Sequence, residues 1–399
     1  MTASAAPVVA RPWAVLLGLT LGVAVTNGFA RFAYGLILPA MRADLGWTYA
    51  EAGWINTANA LGYVIGAAGT LALVRRVSAA RLFAWGAGGT ALFLLATGFS
   101  SDFALLTLWR VLTGICGAAA FIAGGALSAL LWRDDPRRNA LSIAVYFGVG
   151  GGLGMLPPAA LPWLFALEGS GAWPLAWIGL GVLSLVFLPA CLWSAARLRP
   201  PPGRPARGAP PPLRRMGWEI AGYACFGLGY IVYITFLVAS MQERGAGPGL
   251  VSLLWAVIGL GIAASPWLWR PVFARFSSGA PLALVMAVLA VGALMPALLP
   301  LGPAGALLSG ALFGLTVFMA PGAVTSFSRR NLPEAGWGAA VSLFTLVFAL
   351  GQTAGPVVAG LIGDITGDVG DGLLAGGLVL ALGALAAAMQ RPLAPARGA

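Results

Sequence analysis

The chain has 399 residues, of which 59% are hydrophobic and only 9% are charged. Soluble globular proteins carry about 25% charged residues, so this composition excludes a soluble enzyme, a secreted disulfide scaffold and a disordered chain. The net charge of +11 comes from arginine, because the chain contains neither lysine nor histidine. Most of the arginines lie in short breaks between apolar runs, which is typical of a membrane protein and not of a nucleic-acid-binding surface.

Apolar runs long enough to cross a bilayer follow one another along the whole chain. A spanning helix needs about 20 apolar residues, and the alternating pattern of barrel strands is absent. The sequence therefore predicts an all-α integral membrane protein with twelve transmembrane helices. The twelve runs cover residues 13–38, 51–74, 82–99, 103–132, 140–166, 173–195, 217–240, 249–269, 279–299, 303–327, 335–363 and 372–390.

The distribution of arginine predicts the orientation of these spans. With the N-terminus in the cytosol, 19 arginines fall in cytoplasmic segments and only Arg42 and Arg244 fall outside. The opposite orientation would invert this bias, which the positive-inside rule excludes. We therefore predict a multi-pass protein of the bacterial inner membrane with both termini in the cytoplasm.

The middle of the sequence divides the spans into two sets. Residues 197–215 hold six arginines and seven prolines, a composition that cannot form a core or a continuous helix. We predict an N-terminal six-helix bundle at 1–195, a cytoplasmic linker at 196–216 and a C-terminal six-helix bundle at 217–399. Matches at an offset of 200, such as Leu112 with Leu312 and Ser142 with Ser342, indicate pseudo-symmetric halves. Two such halves around a midplane cavity are typical of alternating-access carriers.

Several motifs carry a resemblance to a known superfamily. The run from Arg110 to Gly114 resembles the RxxxG motif of the major facilitator superfamily, and the run from Gly148 to Gly154 resembles its fifth-helix glycine motif. Residues 27–66 are similar to the YbfB/YjiJ-type branch. The resemblance implies that the first and fourth spans line a central cavity. The loop after the second span departs from the superfamily pattern, because Arg75 stands where an acid is usual.

Two charges, Arg31 and Arg110, lie inside predicted spans. A buried arginine costs about 2.5–3.5 kcal/mol on insertion scales, so it normally faces a cavity or a partner. At about 1.5 Å per residue, both lie about 12 Å below the outer surface. No acid within a span neutralises them, so we expect an anion site. The alternative for either arginine is a structural bond to helix carbonyls.

Polar side chains on the same and neighbouring spans extend this expected site. Thr20, Asn27, Arg31 and Tyr34 share one helical stripe, since they are spaced by seven, four and three residues. Taken alone, each stripe is more typical of helix packing than of ligand contact, because asparagine, threonine and tyrosine also bond between helices. The complete set of expected substrate-binding residues is Arg31, Arg110, Asn27, Tyr34, Asn56, Asn59, Tyr63, Tyr146, Tyr230, Tyr233, Thr345 and Gln352.

These residues predict a secondary active transporter of a small organic anion, a carboxylate with an apolar or aromatic portion. An enzyme is not expected, since a catalytic constellation is missing. Proton symport and anion exchange both stay open, and the acids at span ends, Glu219 and Glu51, are the coupling candidates. The alternative is a drug or other small-molecule efflux carrier of the same fold. The expected partners are the substrate, the bilayer and, for symport, a proton, with no cofactor, metal or nucleic acid, and the expected state is a monomer.

Overall fold

The computed structural model describes residues 11–74, 76–132, 134–198, 212–299 and 302–393. Within these ranges the chain forms helices and short connections. Most of the predicted linker lies outside the described residues, as do both chain ends and the loop arginines Arg75 and Arg133. The predicted boundaries of the two halves therefore stay predictions.

Twelve long helical segments follow one another in the described part of the chain, and we number them α1 to α12. The first six, α1 to α6, cover Pro12–Leu45, Tyr49–Leu73, Ala79–Thr97, Phe103–Ser128, Arg137–Glu168 and Ser170–Ala196. The second six, α7 to α12, cover Leu213–Glu243, Pro248–Arg275, Ala280–Leu298, Pro303–Asn331, Glu334–Thr366 and Val369–Ala388. The predicted all-α membrane class is confirmed.

Among these described segments, eleven are long and apolar enough to cross a membrane, and α2 is the exception. Its length of 25 residues suffices, but Asn56 and Asn59 lower its hydropathy. The expected count of twelve spans therefore stays a prediction.

Large apolar side chains cover the outer faces of the helices. Trp85 is 61% exposed, Leu260 is 64% exposed and Ile365 is 83% exposed. A continuous apolar exterior of this kind is stable in lipid and not in water. The protein is thus a multi-pass membrane protein.

Three segments are interrupted by irregular turns. In α1 the stretch Ala24–Phe32 is π-helical, and the Ala33 amide donates to the Gly28 carbonyl five residues earlier at 2.8 Å. In α5 the stretch Val145–Val149 is also π-helical. In α10 the α-helix stops at Val317 and restarts at Ala320, where Pro321 fits the first turn. A π-turn changes the face on which the following residues lie, and all three interruptions border the site described below.

The helices of the two sets pack in the same pattern. Within the first set α1 contacts α6, α2 contacts α4, and α3 contacts α6; the equivalent pairs α7–α12, α8–α10 and α9–α12 occur in the second set. The sets meet through α1–α7, α2–α11 and α5–α8. Small residues allow close approach: α1 and α5 touch at Gly28 and Gly154, where a Cβ on Gly28 would overlap the Gly154 backbone.

Candidate functional site

A cavity of about 1050 Å³ lies between the two sets of helices. Its wall comes from α1, α2, α4 and α5 on one side and from α7, α8, α10 and α11 on the other. The described residues that line it include no acidic side chain. Its size is typical of sites for small molecules.

One end of the cavity is buried and carries Arg31. This side chain is only 5% exposed and extends from the π-helical part of α1. Its Nη2 donates to the Tyr230 hydroxyl at 2.8 Å and to Oε1 of Gln352. The guanidinium lies 5.3 Å from the Tyr63 ring centre and 6.0 Å from that of Phe348. Its partners are neutral, so the positive charge is not cancelled by any of them.

The other end of the cavity is lined by exposed arginines. Arg137 and Arg138 come from α5, and Arg270 comes from α8. Arg138 forms an ion pair with Asp135 at 3.3 Å. Positive side chains from both sets thus surround the mouth of the cavity, and this charge raises the local concentration of anions.

Between these ends the wall is aromatic. Phe226 stacks on Tyr230 with ring centres 4.8 Å apart, and Phe348 lies 5.7 Å from Phe226 and 5.5 Å from Tyr230. The opposite side of the wall contains the rings of Phe121 and Phe147, whose centres are 4.9 Å apart. The arrangement offers a cation at the inner end and flat apolar surfaces along the sides.

Arg110, which the sequence set beside Arg31, lies outside this wall. It is fully buried, its Nη2 donates to the Ala30 carbonyl at 2.6 Å, and its guanidinium lies 4.7 Å from the Trp177 ring centre. Its Nε and Nη1 have no hydrogen-bond partner among the described residues. Arg110 therefore holds the backbone next to Arg31. This contact agrees with the alternative prediction for the arginines, a structural bond to helix carbonyls.

The other expected binding residues divide into two groups. Asn27, Tyr63 and Tyr230 line the cavity, and Gln352 contacts Arg31 at its inner end. The side chains of the other six residues lie outside the cavity wall and form hydrogen bonds, as expected for polar groups of packed helices.

Six expected residues make bonds between or within helices. The Tyr34 hydroxyl donates to the Ala52 carbonyl at 2.7 Å, and the Tyr146 hydroxyl donates to the Phe121 carbonyl at 3.0 Å. The remaining four pairs are Asn56 with Thr235, Asn59 with the Arg110 carbonyl, Tyr233 with Ser309, and Thr345 with the Val341 carbonyl.

The two coupling candidates lie in different surroundings. Glu51 is exposed, and its carboxylate accepts from the Thr48 amide at 2.9 Å in a capping box that begins α2. Glu219 is 1% exposed near the start of α7, and neither carboxylate oxygen has a hydrogen-bond partner among the described residues. Neither acid lines the cavity.

Beyond Arg31, the side away from the cavity mouth is closed by contacts between the two sets. The Asp364 carboxylate of α11 accepts from the Tyr49 and Ala50 amides at the start of α2, both at 2.8 Å. The Thr57 hydroxyl donates to the Thr353 carbonyl at 2.8 Å. The cavity is thus accessible from the face that carries Arg137 and Arg270 and blocked at the opposite face.

A family model described as "Uncharacterised MFS-type transporter YbfB" matches residues 23–388. The chain belongs to this family. The resemblance seen in the sequence is therefore confirmed, and the protein is a transporter of the major facilitator superfamily and not an enzyme.

Its relatives include proteins that are named as transporters. The chain is 26% identical over 390 residues to the 3-(3-hydroxy-phenyl)propionate transporter of Escherichia coli K12, covering 91% of this chain and 92% of that protein. It is 28% identical over 222 residues to the gallate transporter of Pseudomonas putida, and this match covers 54% of the chain but 47% of the relative. A putative metabolite transport protein of Haemophilus influenzae is 30% identical over 149 residues, 37% of the chain and 36% of that protein. The chain thus aligns with about half or less of the latter two.

Solved structures share the fold. A bacterial homolog to the human lysosomal transporter Spinster, in an inward-facing and occupied conformation, superposes with a TM-score of 0.70 at 18% identity, covering 94% of this chain and 96% of that one. The nucleoside transporter NupG gives a TM-score of 0.69 at 14% identity, with 95% and 99% covered. Identities this low establish the architecture and nothing about the substrate.

The phenylalanines of the cavity wall are the functional candidates that sequence reasoning missed. Phe32, Phe121, Phe147, Phe226 and Phe318 line the cavity. Phenylalanine is also favourable on lipid-facing surfaces, so a single sequence does not distinguish a phenylalanine in the cavity wall from one that faces lipid. The sequence also does not indicate that Arg137, Arg138 and Arg270 line the cavity, because arginines between spans are already explained by membrane orientation.

Proposed function

We propose that this transporter moves a small organic anion, an aromatic carboxylate, across the bacterial inner membrane by alternating access. The observation that carries the proposal is Arg31, a buried cation with neutral partners at the inner end of a cavity whose described wall contains no acid. A carboxylate matches the guanidinium in charge and in its paired acceptor geometry.

The aromatic part of the substrate is supported by the cavity wall. Flat rings prefer offset or edge contacts with other rings at about 4.5–7 Å, and Phe226, Phe348 and Tyr230 present such faces next to Arg31. The names of two relatives agree with this choice, since gallate and 3-(3-hydroxyphenyl)propionate are both aromatic carboxylates.

The proposed architecture is two pseudo-symmetric six-helix bundles, α1 to α6 and α7 to α12, with α2 as the twelfth span. The repeated packing pattern supports it. The positive-inside rule assigns the arginine-lined mouth of the cavity to the cytoplasm, together with both termini. The cavity then opens inward, and a single chain supplies the whole wall, so we propose a monomer.

The transport cycle is either proton symport or anion exchange. For symport, Glu219 is the proposed coupling acid, because its carboxyl group is buried and neither oxygen has a hydrogen-bond partner among the described residues. Glu51 is the weaker candidate, since its carboxylate already caps α2.

The test compares substrate binding in Arg31→Gln and wild type. Two charge-assisted hydrogen bonds contribute about 1.5–3 kcal/mol each, so the Kd for 3-(3-hydroxyphenyl)propionate should rise at least about 100-fold. Arg42→Gln is the matched control, because Arg42 lies in the same helix and stacks on Tyr49 away from the cavity. Binding is measured as ligand-induced thermal stabilisation of the purified protein and repeated with gallate and benzoate.

Unchanged affinity in Arg31→Gln would remove the anion site from the proposal. Stabilisation by hydrophobic amines, with no response to any aromatic acid, would favour the alternative of a drug or other small-molecule efflux carrier.

A further inference from the structure

Gln352 occupies the position at Arg31 that an anionic group would take. It lies on α11 one turn beyond Phe348 and is fully buried. Its Oε1 accepts hydrogen bonds from Arg31 and, at 3.1 Å, from the Tyr230 hydroxyl. Arginine has only donors, so the amide oxygen and not the nitrogen must face it. The Nε2 group is left without a partner among the described residues.

These bonds connect the two sets of helices directly. Arg31 belongs to α1, whereas Tyr230 belongs to α7 and Gln352 to α11. The guanidinium is thus satisfied across the inter-bundle gap by two neutral groups of the protein itself. An amide carbonyl resembles one half of a carboxylate in size and acceptor direction, but it lacks the charge.

An empty carrier faces a specific energetic problem. To return without substrate it must close around Arg31, and a buried guanidinium with no acceptor is strongly destabilising. A carrier in which only the substrate satisfies the arginine can reorient only when loaded, and it is an obligatory exchanger.

We propose that Gln352 stands in for the substrate carboxylate in the empty carrier and so permits net transport. The inference rests on the proposed function. Of the two proposed cycles, it favours proton symport over obligatory anion exchange. When a carboxylate enters, it takes the Arg31 donors from the Gln352 oxygen, and the free Nε2 becomes a second donor to the same anion. When the anion leaves, the Gln352 oxygen returns to Arg31.

The decisive experiment measures two fluxes in proteoliposomes with labelled 3-(3-hydroxyphenyl)propionate at saturating concentration. Net efflux requires the return of the empty carrier, whereas exchange against unlabelled substrate does not. Gln352→Met keeps the side-chain volume and removes the acceptor. The ratio of net efflux to exchange should fall at least tenfold in this variant. Ser342→Ala is the control, because Ser342 lies on α11 outside the cavity wall and its exposed hydroxyl donates within its own helix to the Gly338 carbonyl at 2.9 Å; its ratio should equal that of wild type.

A second variant tests the stand-in from the opposite direction. Gln352→Glu supplies a charged internal carboxylate to Arg31, so it should raise the Kd for 3-(3-hydroxyphenyl)propionate at least 30-fold although Arg31 is intact. The melting temperature of the variant reports that it is folded.

The outcomes separate the two proposals. If Gln352→Met lowers both fluxes by the same factor, or if Gln352→Glu binds the acid as tightly as wild type, Gln352 is not a stand-in, and the anion site at Arg31 is untouched. If wild type neither binds nor exchanges any aromatic carboxylate, the proposed function is wrong and this inference falls with it.

Discussion

Arg31 and Arg110 have the same charge and belong to neighbouring helices, yet they bond to different kinds of group. Arg31 bonds to side-chain oxygens at the cavity end, and Arg110 bonds to the backbone carbonyl of Ala30. The Ala30 carbonyl belongs to the residue before Arg31, inside the π-helical stretch of α1. Arg110 therefore fixes the turn from which Arg31 projects, and we regard it as a positioning residue.

This role predicts the effect of Arg110→Lys. Lysine keeps the charge but not the planar fork that reaches the Ala30 carbonyl while lying on the Trp177 ring. Loss of one bond to a charged group, about 1.5 kcal/mol or more, should weaken binding of 3-(3-hydroxyphenyl)propionate by about tenfold or more through a displaced Arg31. Isothermal titration of the purified variant measures the change.

Leu108→Ala serves as the control for this variant, because Leu108 lies on α4 and is 45% exposed on its outer face. If Arg110→Lys binds 3-(3-hydroxyphenyl)propionate as tightly as wild type but melts at a lower temperature, Arg110 stabilises the fold and does not position Arg31.

The sequence identified both buried arginines because a charge inside an apolar run is conspicuous. It could not separate them, since counting along ideal helices ignores the π-turn at Ala24–Phe32. The partners of Arg31 lie 199 and 321 residues away, beyond the reach of local patterns. The repeat gave one hint, because Tyr230 follows Arg31 at an offset of 199, and in the proposed pseudo-symmetric halves equivalent positions face each other across the cavity.

At the scale of helices, the closed face depends on a contact between α11 and α2. The Asp364 carboxylate accepts from the first two amides of α2, where the helix dipole is positive. Close packing accompanies it, since a Cβ on Gly53 would overlap the Pro356 carbonyl. Opening this face in an alternating-access cycle must break the Asp364 contact.

Asp364→Asn should therefore shift the equilibrium toward the state that is open at this face. A charged helix cap contributes about 1 kcal/mol, which corresponds to about a fivefold change in population. Spin labels at Ala43→Cys and Gln242→Cys, both exposed at this face on α1 and α7, would report the distance distribution after Cys116, Cys191 and Cys225 are replaced by alanine.

The control for this experiment is Asp102→Asn. Asp102 caps α4 by accepting from the Leu105 amide of the same helix at 2.8 Å, and among the described residues its carboxylate has no bond to a second helix. An equal shift in both variants would attribute the effect to helix capping in general and not to the contact between α2 and α11.

Helix positions followed from hydropathy, whereas the interruptions did not. The predicted run 103–132 contains α4, and the run 217–240 falls within α7, because the cost of exposing polar backbone to lipid fixes each span locally. The breaks in α1, α5 and α10 depend on packing between helices, which one sequence does not reveal. The partner of Asn56 could not be predicted for the same reason, because its hydrogen bond to Thr235 joins helices that lie far apart in sequence.

At the scale of the whole molecule, the membrane topology depends on α2. Eleven described helices are apolar enough to span, and an odd number would leave the two termini on opposite sides. The polar residues of α2 that lower its hydropathy are not exposed to lipid: Asn56 is 2% exposed and Asn59 is 3% exposed. Asn59 donates to the Arg110 carbonyl at 3.1 Å. A helix whose polar groups are satisfied inside the protein can span without being uniformly apolar.

If α2 spans, the connections at its two ends lie on opposite sides of the membrane. Single cysteines at Ala43 and Arg76, both exposed, should then respond differently to a membrane-impermeant maleimide in a strain otherwise free of cysteine in this protein. The positive-inside rule assigns Arg76 to the cytoplasm, so Ala43→Cys should be labelled in intact cells and Arg76→Cys only after permeabilisation. Labelling of both in intact cells would mean that α2 does not cross, and the even count of spans, the cytoplasmic termini and the inward-open cavity would all have to be revised together.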